Sequence, residues 1–172
     1  AEAATAARLL VAAREASLPK DPVLRALFDA NISTASLDGT ATGSVRLSAG
    51  QAIFDAAPVR LNTSVTAVKL AGVDVSLATL TIGPRADGSS EDVLVACPGG
   101  AAGPYGAITL GRGARIETIS SVEGQIVVAA KTLGPREDPC CPTRPRTYRF
   151  RLIGGSLIAV LAKAVPGGGP RF

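Results

Sequence analysis

Cys140-Cys141-Pro142 is the most chemically loaded stretch of this chain, two adjacent thiols followed by a proline. Adjacent cysteines cannot act as the paired ligands of a metal knuckle, which needs roughly two to four residues between them. Cys97 is the only other thiol and there is no histidine anywhere, so a soft metal site would have to draw half its ligands from oxygen. Such a cysteine set suits an oxidising compartment with one disulfide and one thiol left over. Two pairings are open. A bond from Cys97 to Cys140 or Cys141 would close a loop of about 43 residues, for which chain entropy alone gives about 4 kcal/mol. A vicinal Cys140–Cys141 bond would instead be a redox device, with Arg136 and Arg144 the nearby groups able to lower a thiol pKa.

A second cluster, Asp87-Gly88-Ser89-Ser90-Glu91-Asp92, puts three carboxylates in one turn. Asp87, Glu91 and Asp92 are candidate calcium ligands by oxygen chemistry. A calcium loop, however, carries its acidic residues at alternate positions ahead of the glycine, where this chain has Pro84-Arg85-Ala86. No metal or other cofactor is therefore expected. The serines have no imidazole to activate them, and no Ser-x-x-Lys pattern offers a lysine base. Gly99 to Gly106 lacks the Lys-Ser/Thr ending of a phosphate-binding loop. These exclusions argue against an enzyme.

The third group is basic. Arg136, Arg144, Arg146, Arg149 and Arg151 occur among prolines and threonines. In Thr147 to Leu152, Tyr148, Phe150 and Leu152 point one way and Thr147, Arg149 and Arg151 the other, as a half-buried strand requires. Tyr148, Arg149 and Arg151, with Arg144 and Arg146 leading in, are candidate contacts for a partner. Nucleic acid is not the expected partner. The net charge is only +4 and aromatics are 3 % of the chain, whereas single strands need stacking platforms beside a concentrated basic face.

The elements that must hold these residues follow from the texture of the chain. Residues 1–30 read as a helical segment: strong helix formers around Leu9-Leu10-Val11, a break at Leu18-Pro19, then Asp21-Pro22 as N-cap and first turn of a second helix with Val23, Leu24, Leu27 and Phe28. Residues 31–165 read as an antiparallel β domain of short Val, Leu, Ile and Thr stretches cut by Gly, Asp and Ser. A tight hairpin is expected around Ala49-Gly50. Further strands are Thr63 to Ala71 and Val73 to Ile82 about a break at Gly72, and a fully apolar central strand at Val93 to Ala96. A hairpin about Glu123-Gly124 follows, and Gly154-Gly155 turns into Ser156 to Ala162. Residues 166–172 are a Gly/Pro-rich tail. The expected fold class is mainly β (α+β), an antiparallel, strongly bent sheet or partial barrel preceded by two short N-terminal helices.

Length and composition agree with one core. The chain has 172 residues, 47 % apolar and 19 % charged, against globular averages of about 45–50 % and about 25 %. No apolar run approaches the ~18 residues of a membrane span, so no transmembrane segment is expected. The chain opens at Ala1 without an initiator Met, as expected of one whose export signal has been removed.

The order of features in the C-terminal two thirds carries a resemblance. The acidic turn Asp87 to Asp92, the apolar strand and the Gly-rich loop are followed by Leu110-Gly111-Arg112-Gly113-Ala114-Arg115-Ile116. Then come Gly124-Gln125-Ile126-Val127-Val128, Pro139-Cys140-Cys141-Pro142, and Tyr148-Arg149-Phe150 running to Gly154-Gly155. This succession resembles secreted bacterial lipoproteins of the LppP/LprE type and related envelope proteins, over roughly residues 45–162. Cys-Cys-Pro followed by an aromatic strand ending in Gly-Gly is its most specific element. The resemblance implies an exported, envelope-associated domain without assigned catalysis. The chain departs from the pattern in having no lipidation cysteine at its N-terminus, and its acidic loop lacks the leading carboxylates of an Asp-x-Asn-Gly-Asp-Gly sequence.

The function expected on these grounds is a non-catalytic exported protein of the periplasm or cell surface. It would serve as a binding or accessory structural subunit with a protein partner in the cell envelope. A small-molecule or lipid carrier with an apolar barrel interior and a thiol redox protein using the adjacent cysteines are the alternatives.

Overall fold

The computed structural model describes residues 2–160. Two helices come first, α1 (Glu2–Ser17) and α2 (Pro22–Leu27). Asp21 caps α2 by accepting hydrogen bonds from the amides of Val23 (2.8 Å) and Leu24 (3.2 Å), with Pro22 in the first turn. Twelve strands follow: β1 (Asn31–Ser36), β2 (Thr42–Arg46), β3 (Gln51–Phe54), β4 (Ala57–Leu61), β5 (Thr66–Leu70), β6 (Val73–Ile82), β7 (Glu91–Cys97), β8 (Gly106–Thr109), β9 (Arg115–Val122), β10 (Gln125–Thr132), β11 (Arg144–Ile153) and β12 (Ser156–Ala159).

The strands form two layers. The larger sheet runs β2-β1-β8-β7-β6-β4-β3, with β5 also paired to β6, and the smaller runs β12-β11-β10-β9. β2 and β3 stand at opposite ends of the larger sheet yet are consecutive in the chain. The Ser48↔Gln51 bridge joins them, so the sheet curls round until it is a nearly closed barrel. The tight turn expected at Ala49-Gly50 forms, with Ser48 and Gln51 exchanging backbone hydrogen bonds of 2.8 and 3.0 Å, but the strands part beyond it: β2 pairs β1, and β3 pairs β4. The sheet is also mixed rather than purely antiparallel, because β1 and β8 run parallel. Both have free edges that only this long-range pairing fills.

Period-two burial assigns each strand face. On β7, Val93, Val95 and Cys97 point into the barrel with Ile32, Val45, Val59, Leu80 and Ile82. Leu94 and Ala96 point outward, where they pack with Ile126, Val128 and Phe150 of the smaller sheet. β7 is buried on both faces, as its continuous apolar run requires. Val23, Leu24 and Leu27 of α2 close one end of the barrel. The barrel interior is filled by these side chains. On α1, residues 2–9 are exposed. Residues 161–165, expected to end the β domain, and the tail 166–172 lie outside the described residues.

In β9 the register with β10 shifts at Ala129/Ala130. This bulge changes which alternate residues face inward, so Ile116 and Ile119, of opposite parity, both pack on the second core.

Candidate functional site

The basic strand β11 lies in the smaller sheet between β10 and β12. Phe150 is fully buried and Tyr148 is 6 % exposed, stacked on each other at 6.3 Å between ring centroids. Tyr148 is therefore corrected from a surface contact to a core residue. Its hydroxyl reaches the Leu110 carbonyl at 3.4 Å, and burial pushes its pKa up, with Arg146 acting against the shift. Arg144 and Arg146 share the inward parity but lie on the strand beyond the core and are exposed. Arg146 sits over the Tyr148 ring at 4.8 Å, which packs its guanidinium against an aromatic face.

Arg149 and Arg151 occupy the opposite, exposed face. Register puts Arg149 beside Val127 and Arg151 beside Ile158. Neither arginine has an ion pair among the described residues. Around them Ile153 is 60 %, Ile158 48 % and Val122 43 % exposed. The outer face of the smaller sheet is thus mixed apolar and cationic, and no described element covers it. Beside it, Leu37, Asp38, Arg146, Tyr148, Arg149 and Val160 line a cleft of about 720 Å³. Asp38 is held at about 2 by the Ser36 hydroxyl, then by the amide and hydroxyl of Thr40, so it is an anion at any ordinary pH.

The long loop after β10 carries the cysteines. Cys140 and Cys141 are bonded to each other and exposed. The expected bond from Cys97 to this loop is not formed: Cys97 is unpaired and faces the barrel interior, where no surface loop reaches it. Burial pushes its thiol up to about 12. Glu137 organises the loop, accepting from the Gly134 amide at 2.8 Å, the Thr143 amide at 3.3 Å and the Thr143 hydroxyl. These bonds, the Thr143 hydroxyl foremost, hold its carboxyl below the usual range.

The three carboxylates proposed for calcium diverge. Asp87 pairs with Arg112 and accepts from the Ser89 amide at 2.9 Å. Glu91 faces into the barrel mouth and pairs with Arg85 at 2.8 Å. Asp92, next on the strand, must face the other way. It accepts from the Thr81 hydroxyl at 2.9 Å and the Ile116 amide at 2.8 Å, with Arg115 Nε at 3.5 Å. No group of three metal-ligating side chains converges among the described residues, and the calcium reading is withdrawn.

Sequence reasoning missed the network behind Asp92. Asn62 donates to the hydroxyls of Thr79 (2.8 Å) and Thr81 (2.9 Å), linking β6 and β7 to β9 beside a polar cleft of about 330 Å³. Its signal was present: two successive carboxylates opening an apolar strand must be buried on opposite faces and must each find a partner. Among the described residues no helix is long and apolar enough to cross a membrane. Comparisons with protein-family models, curated proteins and solved structures gave no match to this chain.

Proposed function

We propose that this protein is a non-catalytic, exported protein of the cell envelope that acts as a binding or accessory structural subunit of a surface assembly. The observation that carries the reading is the outer face of the smaller sheet. Arg149 and Arg151 stand there without ion pairs among the described residues, amid exposed Ile153, Ile158 and Val122. Unpaired guanidiniums beside apolar side chains suit a protein partner that presents carboxylates around an apolar centre. The resemblance to LppP/LprE-type envelope proteins supports the compartment, as does an exposed disulfide.

The test is cross-linking in intact cells followed by fractionation, comparing the native chain with an Arg149→Glu/Arg151→Glu variant. The native chain should fractionate with the envelope and capture a stoichiometric protein that the variant loses. A cytosolic chain, or capture indifferent to the double reversal, would overturn the reading. The Cys140–Cys141 bond favours a second reading, a thiol redox protein whose disulfide is opened by an external dithiol. Cys140→Ser/Cys141→Ser would then abolish function in a folded chain, whereas a structural role leaves partner capture intact. A carrier that stores an apolar ligand inside the barrel has less support, since the interior is occupied by packed side chains.

A further inference from the structure

The barrel end away from α2 is open and polar. The ends of β1, β2, β3, β7 and β8 meet there around a cavity of about 390 Å³, lined by Thr34, Gly43, Phe54, Arg85, Glu91 and Thr109 among others. That volume lies within the range of about 300–1,000 Å³ typical of small-molecule sites. Apolar residues fill the barrel below it, so this mouth is where the interior changes from hydrocarbon to hydrogen-bonding groups.

Three polar groups at the mouth are unspent. The Arg85–Glu91 pair joins Nη2 to Oε1, and the two side chains are only 19 % and 9 % exposed. Arg85 Nη1 is buried and has no hydrogen-bond partner. Glu91 Oε2 has none among the described residues either. The Thr34 hydroxyl likewise has none; these two oxygens keep contact with solvent, so Arg85 Nη1 is the one atom of the three that is both buried and unpaired among the described residues. Buried donors and acceptors are normally paired, and an unpaired one calls for an explanation. Its neighbours are already engaged: the Ser36 hydroxyl donates to Asp38 at 2.7 Å and accepts from the Ala41 amide, and that of Thr109 donates to the Ala35 carbonyl.

Gly43 stands directly across from Thr34 in the β1–β2 pairing. It lies within β2, two residues before inward-facing Val45, and a Cβ there would come within 3.3 Å of the Thr34 hydroxyl oxygen. A glycine inside a strand forgoes packing, and one of its recognised uses is to leave room for close approach. Half-buried Phe54 supplies an apolar wall.

We infer that the barrel mouth is a binding site for an uncharged, polyhydroxylated ligand of monosaccharide size. A hydroxyl both donates and accepts. Neighbouring hydroxyls can therefore accept from Arg85 Nη1 and the Thr34 hydroxyl while donating to Glu91 Oε2, and the C–H face of the ring lies on Phe54. Charge excludes the nearest competitors. A free carboxylate attracted to Arg85 would meet Glu91 and the rim residue Asp55, and a cation attracted to Glu91 would meet Arg85. The inference does not depend on the protein-partner reading, because this mouth and the outer face of the smaller sheet share no residue.

The test is a titration of the isotope-labelled full chain with glucose, galactose and mannose, followed by amide chemical shifts. Glycerol, acetate and ammonium serve as controls. At least one sugar should shift the amides of Thr34, Gly43, Phe54 and Glu91 saturably, with a dissociation constant in the millimolar range. Gly43→Val, which fills the mouth, should weaken it by about ten-fold or more, equivalent to about 1.4 kcal/mol. Thr34→Val removes only the hydroxyl, should also weaken binding, and carries the test if Gly43→Val does not fold. No saturable shift with any of the sugars would overturn the inference. So would acetate or ammonium saturating these amides more tightly than every sugar, or undiminished sugar binding in the folded variants.

Discussion

Cys97 and the Cys140–Cys141 pair show how the same side chain acquires opposite chemistry from its surroundings. Cys97 is sealed inside the barrel and its thiol titrates at about 12 instead of 9.0, so at neutral pH it is neither a nucleophile nor a resolving thiol. The native protein should resist alkylation at Cys97 until denatured, as followed by intact mass. The protonated thiol's contribution is fully present below pH 9.0, the unfolded value, and is lost as pH rises through the folded value of about 12. Alkaline unfolding should therefore begin later in Cys97→Ala once the two chains are matched for their stability at neutral pH. Asp92 is the second residue whose surroundings define it. Asp92→Ala would strand the Ile116 amide and leave the Thr81 hydroxyl with Asn62 alone, and should lower stability by roughly 2–4 kcal/mol in urea unfolding.

Tight turns dominate the behaviour of the elements. Ala49-Gly50, Asp55-Ala56, Ala71-Gly72, Glu123-Gly124 and Gly154-Gly155 all have two successive positive φ values, the backbone that suits the twist of a two-residue hairpin. Ala56 adopts φ 59° at an exposed position where an L side chain is disfavoured. Ala56→Gly should raise stability by about 0.5–1 kcal/mol, seen as a higher denaturant midpoint at unchanged slope. The plug helix has the reverse sensitivity. Leu27 is fully buried at the barrel end, and Leu27→Ala should cost about 2–5 kcal/mol by the same measurement. The hairpins at Gly72, Glu123-Gly124 and Gly154-Gly155, and the capped second helix, were legible because turn and cap chemistry are local. The bulge at Ala129/Ala130 was not, since one extra residue reverses a parity that alternation alone assumes constant.

In the whole molecule, β7 serves both cores at once, with Val93, Val95 and Cys97 in the barrel and Leu94 and Ala96 against the smaller sheet. Neither layer can open without exposing one face of this strand. Unfolding should therefore be a single transition, with calorimetric and van't Hoff enthalpies equal; two separated transitions would show that the layers are independent. This scale was the least readable. Mainly β structure, the bent sheet, the two leading helices and the burial of Val93 to Ala96 follow from composition and alternation. The β1–β8 pairing joins Ser33 to Gly106, a separation at which no local pattern chooses a partner, and with it the barrel mouth stayed invisible. Tyr148 was misplaced for a related reason. Its strand was assigned correctly, but which face meets another sheet depends on residues far along the chain.

That same parallel pairing sets an order of events during synthesis. Until β8 emerges, β1 has only β2 on one side and the barrel wall has a gap between β1 and β7. A growing chain that stops before Gly106 therefore has every strand from β1 to β7 and still no closed wall. Closure over such a distance is slow, so the local pairs among β1 to β7 must wait as an unclosed sheet while the remainder is made. Were the chain exported, as proposed above, such a delay would hold off the closed barrel that a translocation channel cannot pass.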